Sequence, residues 1–230
     1  MENFKQIFNA LTLMVLLSVA ASCSKFETPE TDDESRVVYK AEMVFEGELT
    51  TFDADTRSSA SSWEDGATIY LQFYTGSEYV DGLAVYDSET SKWNLEFYGE
   101  ITSNKERVCS AVYVENAVAY GYHDVTVDEN SIIYEDTEGS YYYENNILTV
   151  SAHLVPKTGR IRFEGEPGYQ YTFTGLSHYT RYNIANNEWT YETESYSARL
   201  PESGKSDYYY VFFSEDNASR EMQFYDKENN

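Results

Sequence analysis

The chain has 230 residues, and its 40 Asp and Glu against 16 Lys and Arg give a formal net charge of −24. A hydrophobic content of 41% is enough for a packed core, which argues against wholesale disorder despite the charge. The scarcity of Lys and Arg excludes DNA, RNA and an anionic membrane face as expected partners, because binding by counterion release needs clustered cations.

The first 22 residues have the features of an export signal. Lys5 precedes an apolar run over 7–21, which is short for a membrane span of roughly 20 residues. Small residues at 20–22 stand directly before Cys23, and this order resembles the lipobox of bacterial lipoproteins. The resemblance implies that residues 1–22 are a lipoprotein signal peptide and that the Cys23 sulfur carries a diacylglycerol. An ordinary secretory signal or an uncleaved anchor is the alternative.

Residues 23–36 are rich in Asp and Glu and have little to bury. Like charges repel, so we expect this segment to be an extended acidic tether. The second of the two cysteines, Cys109, has no partner for a disulfide within the exported chain once Cys23 is lipidated. Its strand-like apolar surroundings predict a small buried core residue and not a reactive thiol.

From residue 37 onward the pattern predicts an all-β fold. Apolar residues alternate with polar ones, and no stretch longer than two helical turns has helical spacing. The predicted strands, in chain order, are 37–49, 68–74, 83–86, 92–98, 108–114, 118–127, 132–134, 141–154, 160–163, 169–174, 181–185, 188–192, 207–214 and 221–225. The loop at 87–91 and the pair Asn186-Asn187 predict hairpin turns.

The long predicted strand at 141–154 organises the rest of the prediction. A turn at Pro156 and Gly159 follows it, after which 160–163 is expected to pair back, and 207–214 with 221–225 is expected to form the last pair. Many short strands with turns between them are typical of sandwiches or barrels. The long strand and its turn divide the chain into an N-terminal β-sandwich domain over 37–145 and a C-terminal one over 146–230.

The 23 tyrosines have two interpretations. A tyrosine is apolar in its ring and wet at its hydroxyl, so these residues could cap a thin core on half-buried strands. Alternatively, they form an aromatic platform that stacks sugars, in which Trp63, Trp93 and Trp189 would take part.

Several short motifs resemble fimbrillin-family domains of Gram-negative gut and oral anaerobes. Thr56-Arg57, then Trp63 followed by Gly66, then an apolar strand from Ile69, resembles the start of such a domain. The family has Asp after this Gly, whereas here Ala67 follows it. The segment 147–163, with its His-Leu pair and its basic-apolar strand, resembles the start of the family's C-terminal domain. The resemblance covers most of residues 37–200.

The resemblance implies a lipoprotein precursor with two β-sandwich domains of transthyretin-like, Greek-key topology, acting as a stalk, tip or anchor subunit of surface fimbriae with a role in adhesion. In stalk subunits a trypsin-like protease cuts after a linker Arg and removes the first strand, and a donor strand from the next subunit fills the groove. Arg57 stands at that position in a polar linker, and an exposed, unprocessed Arg is the alternative. Anchor subunits keep their lipid and are not cut.

The C-terminus departs from the family pattern. Family members close with further strands, whereas this chain stops soon after 221–225. This predicts an incomplete C-terminal sandwich. Its unpaired edge is then either the edge used in assembly or the mark of a shortened copy.

No catalytic, metal-binding or cofactor-binding residue is predicted. His123, His153 and His178 lie in separate segments without metal-ligand spacing, and the acidic runs at 124–129 and 135–138 lack the pattern of a calcium loop. The sequence also has no Gly-flanked nucleophile elbow and no phosphate loop.

Three functions therefore stay open. The first is a fimbrial subunit or anchor, with other subunits as partners through strand exchange, the outer membrane through the lipid, and host or microbial glycans or proteins as adhesion targets. The second is a surface glycan-binding lipoprotein. The third is a surface glycoside hydrolase, which needs a pocket with two facing carboxylates. The position of the first strand discriminates between these functions. A strand bonded on both edges within a sheet is hard to exchange, which would argue against assembly by donor-strand exchange.

Overall fold

The computed structural model describes residues 38–49, 63–101, 105–115, 117–120, 124–214 and 221–225, all within one compact unit that spans Asp33–Asn230. These residues contain no helix, and so none that could cross a membrane. The strands are β1 Val38–Leu49, β2 Thr68–Tyr74, β3 Tyr79–Asp87, β4 Lys92–Tyr98, β5 Arg107–Val114, β6 Val118–Tyr120, β7 Asp124–Thr126, β8 Ile133–Glu144, β9 Ile147–Pro156, β10 Gly159–Ile161, β11 Gln170–Asn183, β12 Glu188–Arg199, β13 Tyr209–Val211 and β14 Glu221–Tyr225. The all-β prediction is confirmed.

Seven strands form a closed barrel in the order β1-β4-β3-β2-β5-β8-β9, and β9 returns to β1. All neighbours are antiparallel except β1 and β9, which are parallel. Alternation in β2 puts Ile69, Leu71 and Phe73 into the interior, each 0% exposed. The Phe73 ring centroid lies 5.1 Å from that of Tyr141 and 6.4 Å from that of Phe97, so aromatic rings fill this core.

The outer wall of the barrel supports a second sheet. This sheet has the order β12-β11-β7-β6, with β14 also paired to β11, while β10 and β13 form a small sheet of their own. Tyr70 on β2 and Val112 on β5 point away from the barrel interior and pack with Val125, Tyr182 and Ile184 in a second core. A third core lies between β11, β12 and the β10–β13 sheet.

A polar contact also joins the barrel to the β11–β12 hairpin. Gln72 points outward from β2 and is buried. Its Nε2 donates to the carbonyl oxygens of Ile184 at 3.1 Å and Ala185 at 2.8 Å, at the tip of the hairpin. Because both carbonyl oxygens accept a hydrogen bond, the hairpin tip can be buried against the barrel wall without leaving these polar groups unpaired.

The prediction of one long strand over 141–154 is wrong, because a turn at Asn145 and Asn146 separates β8 from β9. Both asparagines have positive φ, 54° and 63°, as the two central residues of a tight type I′ hairpin require. The predicted domain boundary near residue 145 falls at this turn, between two neighbouring strands of the barrel. The division into domains over 37–145 and 146–230 stays a prediction.

The two predicted hairpin turns are confirmed, while two predicted pairings are wrong. Hairpin turns lie between β3 and β4 and between β11 and β12, as expected. However, β10 pairs with β13 and does not pair back on β9, whose edges are already bonded to β8 and β1. Likewise, β14 pairs with β11 and not with the segment at 207–214.

Strand β11 is continuous where two strands, 169–174 and 181–185, were expected. Its register against β12 shifts between Thr174 and Leu176 and again between Tyr179 and Arg181. Such bulges bend a strand and increase its twist. The observed arrangement is one barrel and two further sheets, so two Greek-key sandwiches are not confirmed.

The β8–β9 turn gives a first testable prediction. Asn145→Val should lower the free energy of unfolding by about 1–2 kcal/mol, because a β-branched residue resists positive φ. Asn145→Gly, which tolerates this conformation, should stay within about 0.5 kcal/mol of the original chain. Urea unfolding followed by tryptophan fluorescence measures both, and equal losses in the two variants would contradict the assigned turn.

The tyrosines of the packed cores predict a loss of stability at high pH. Burial, with the charges of Glu115 and Glu64, raises the pKa of Tyr113 to about 12, and burial raises the pKa of Tyr70 and Tyr182 as well. The folded chain therefore keeps protons that unfolded tyrosines lose from about pH 10, so this stability is present below pH 10 and is lost as the pH rises toward 12.

Urea midpoints at pH 8 and pH 11 test this expectation. Between pH 8 and pH 11, the free energy of unfolding of the Tyr113→Phe variant should fall by roughly 1 kcal/mol less than that of the original chain, after allowance for solvent screening. Tyr79→Phe changes an exposed ring and is the matched control. A Tyr113→Phe chain with the same pH dependence as the original would contradict the account.

Candidate functional site

Strand β1 closes the barrel by bonding to a different neighbour along each half. Its residues 38–43 pair with β4, and its residues 42–49 pair with β9. Only Glu42 and Met43 pair with both neighbours. Strand β1 therefore joins β4 to β9 and closes the barrel, with one bonded edge along each half and two bonded edges at Glu42 and Met43.

The side chains of β1 also belong to the barrel core. Met43 is 3% exposed, and Ala41 is buried beside it. The Phe45 ring centroid lies 5.8 Å from that of Trp63 and 5.9 Å from that of Trp93. Loss of β1 would remove hydrogen bonds from two strands and would expose these apolar groups. Because exchange of the first strand would break its pairing with both β4 and β9, this placement disfavours exchange.

Both predicted site residues lie in parts of the chain that the structure does not describe. Cys23, the predicted lipidation site, and Arg57, the predicted processing site, lie outside the described residues, as does His123. Lipidation at Cys23 and cleavage after Arg57 therefore stay predictions.

The three tryptophans pack against other aromatic rings and do not form a platform. Trp63 meets Trp93 at 5.1 Å and Tyr113 at 5.2 Å, with ring planes inclined by 75° and 84°. Trp189 stacks on Tyr182 at 4.5 Å. For these rings the core interpretation is confirmed.

An open depression of about 520 Å³ lies on the barrel wall where β8 bulges, and its lining includes Glu46, Asp136 and Glu138. Asp136 accepts hydrogen bonds through both oxygens, from the backbone N–H of Glu138 at 2.8 Å and of His153 at 2.6 Å. Its carboxylate thus replaces the missing strand partner at the bulge. No group of His, Cys, Asp and Glu in the described ranges could hold a metal ion.

Cys109 is confirmed as a buried core residue. It is 1% exposed on β5, and burial, together with the charge of Asp136, raises the pKa of its thiol. A raised pKa disfavours the reactive thiolate. The thiol is therefore part of the packing.

A charged pair lies at the junction between the barrel and the β11 sheet, and no sequence motif indicated it. Lys157 Nζ lies 2.5 Å from Glu135 Oε2, and the two side chains are only 19% and 15% exposed. Trp189 Nε1–H donates to Glu135 Oε1 at 2.9 Å. The ammonium also lies 5.2 Å from the Trp189 ring centroid and 5.4 Å from that of Tyr179, within cation–π range.

The junction could not be read from the sequence because its members come from three distant segments. Glu135 belongs to an acidic run and Lys157 to a turn, and neither residue type alone suggests burial. The only signal is Lys157 itself, a rare cation between apolar segments of an acidic chain.

Comparisons with known proteins give little further information. No protein-family model matches the sequence, and no curated protein matches it. Among solved structures, a chain from Bacteroides ovatus ATCC 8483, described as a "putative adhesin", is similar over 84% of this chain and 80% of that chain. The sequence identity is 12% and the TM-score is 0.40. At this level the similarity carries no argument about function, and the fimbrillin resemblance stays a prediction.

The junction predicts unequal effects of two variants. Lys157→Met should lower the free energy of unfolding by about 2 kcal/mol, because it leaves the partly buried Glu135 carboxylate without its counter-charge. The double variant Lys157→Met/Glu135→Gln should recover much of this loss, since the amide oxygen can still accept from Trp189. Urea unfolding measures both, and a double variant less stable than the single one would contradict the buried pair.

Proposed function

We propose that this chain is a lipid-anchored protein of the cell surface with a role in adhesion. In this proposal it is an anchor or tip component of a fimbrium that joins other subunits by β-strand addition. The chain keeps its first strand and, with it, the lipid on Cys23. The proposal includes the two transthyretin-like sandwiches that the fimbrillin resemblance implies.

The placement of β1 is the observation that carries this proposal. A stalk subunit must give up its first strand before a donor strand can enter. Here the first strand is bonded to both β4 and β9, and Met43 lies in the core. A chain that is not cut after Arg57 keeps β1 and, with it, the tether at 23–36 that begins with Cys23. This supports an anchor or tip over a stalk.

The expected location and partners rest on the sequence. A diacylglycerol on Cys23 would hold the chain in the outer membrane, with residues 23–36 as an acidic tether that extends the folded part into the surroundings. Partners would be other fimbrial subunits and host or microbial glycans or proteins, with no nucleic acid. We expect no enzymatic activity and no cofactor.

The two alternatives gain no support from the site geometry. A surface glycan binder needs exposed, coplanar rings, whereas Trp63, Trp93 and Trp189 pack against other aromatic residues. A glycoside hydrolase needs two facing carboxylates, whereas Asp136 in the barrel depression is hydrogen-bonded to backbone N–H groups.

Limited trypsin digestion with native mass analysis tests whether β1 is retained. After cleavage at Arg57, the fragment that contains β1 should stay bound to the rest of the chain, in a particle of monomeric mass. The reason is that β1 keeps its hydrogen bonds to two strands when its covalent connection is lost. Arg57→Gln removes the cleavage site and is the matched control.

Release of the β1 fragment followed by ladders of oligomers would overturn the anchor or tip assignment and indicate a stalk subunit. The lipid needs a separate measurement. Labelling with a fatty-acid analogue in a bacterial host should mark the original chain and not the Cys23→Ser variant, and label on both would contradict lipidation at Cys23.

A further inference from the structure

Strand β12 has a long edge with no partner among the described strands. It pairs with β11 from Glu188 to Arg199, over its full length. Of the strands that the structure describes, only β11 pairs with it. Its other side presents a row of backbone N–H and C=O groups, which is a template for pairing with another chain. Near the end of the strand, the Tyr209 hydroxyl donates to the Ser197 carbonyl oxygen at 3.5 Å. By contrast, every strand of the barrel has two neighbouring strands.

The two faces of this edge differ in chemistry. Side chains alternate along a strand, so Glu188, Thr190, Glu192 and Glu194 share one face, and all four are exposed. Glu194 also lies 3.4 Å from the imidazole of His178. Since three of these four side chains are carboxylates, the face is acidic.

The opposite face has aromatic character. Tyr191 is 39% exposed there, and its ring centroid lies 5.3 Å from that of Phe212. An apolar side chain beside the edge could therefore pack on a ring that already has a supporting neighbour. The edge offers carboxylates on one face and an aromatic surface on the other.

A second copy of the chain fits this edge poorly. Any two-fold antiparallel pairing of β12 with itself that is centred on a residue from Thr190 to Glu194 puts one Glu directly opposite another. For example, a centre at Thr190 places Glu188 opposite Glu192. Like charges that face each other across strands are destabilising. The edge is therefore matched to a chain of opposite charge.

We propose that the unpaired edge of β12 binds an extended segment of a partner protein in which Lys or Arg alternates with apolar residues. The basic side chains face Glu188, Glu192 and Glu194, and the apolar ones face Tyr191. Main-chain hydrogen bonds supply affinity and the alternation supplies selectivity, as in other cases of strand addition. This site goes beyond the proposed function, because it lies in the β11 sheet and needs neither the lipid nor the retention of β1.

The test uses the full chain in detergent and a synthetic peptide in which Lys and Val alternate over the length of β12. The peptide should bind, and it should slow hydrogen exchange of the backbone amides in 188–199. Glu188→Lys/Glu192→Lys should weaken binding about tenfold, because two attractive cross-strand pairs become repulsive. Glu78→Lys/Glu89→Lys makes the same change of charge on exposed barrel turns and is the matched control.

Any of four results would overturn the proposal. In the first, a peptide of the same sequence with alternate backbone nitrogens methylated binds equally well, which would indicate charge attraction without strand pairing. In the second, the control pair of variants weakens binding as much as the β12 pair. In the third, the peptide does not bind. In the fourth, the amides of β12 become protected at high protein concentration without peptide, which would identify a second copy as the occupant.

Discussion

The rest of the structure depends on the hydrogen bonding of β1 to two strands at once. Its first half bonds to β4 and its second half to β9, and this closes the barrel. Because of this closure, each of the seven barrel strands has two neighbouring strands. Closure also turns the outward face of β2 and β5 into a curved wall, on which Tyr70 and Val112 meet Val125 and Tyr182. The second sheet is packed on a surface that only the closed barrel provides.

The junction between the barrel and the β11 sheet combines apolar burial with a few directed polar contacts. Apolar packing is not directional, so Gln72, Glu135 and Lys157 determine where the β11–β12 hairpin and its aromatic rings are held. The hairpin is bound along one side, and the far edge of β12 carries the acidic residues. Closed edges inside the barrel and a charged edge outside it are two different ways to control strand pairing.

Features encoded by neighbouring residues could be predicted from the sequence. Alternation identified β2 and its inward side chains, and Cys109 was correctly expected in the core. The turn at Asn145 and Asn146 was overlooked because the residues on both sides continue a strand-like pattern. The continuous strand β11 was interrupted in the prediction at its bulges, where an extra residue breaks the alternation. Alternation of apolar and polar residues therefore fails to predict a strand correctly where the strand changes the face that it buries.

The sequence by itself determined that this protein is built of strands, where two of the hairpins turn, and that the inward residues of β2 and Cys109 on β5 are buried, because these properties depend on residues close together in the chain. Only the tertiary structure decided which strands pair. β9 has both edges bonded within the barrel, so β10 must pair with β13. Likewise, Glu135 and Lys157 form a partly buried pair that Trp189, from a distant hairpin, contacts through its ring and its N–H group. Which strand edges are already hydrogen-bonded, and how the barrel closes, depend on residues far apart in the chain. These properties therefore cannot be predicted from a local sequence pattern.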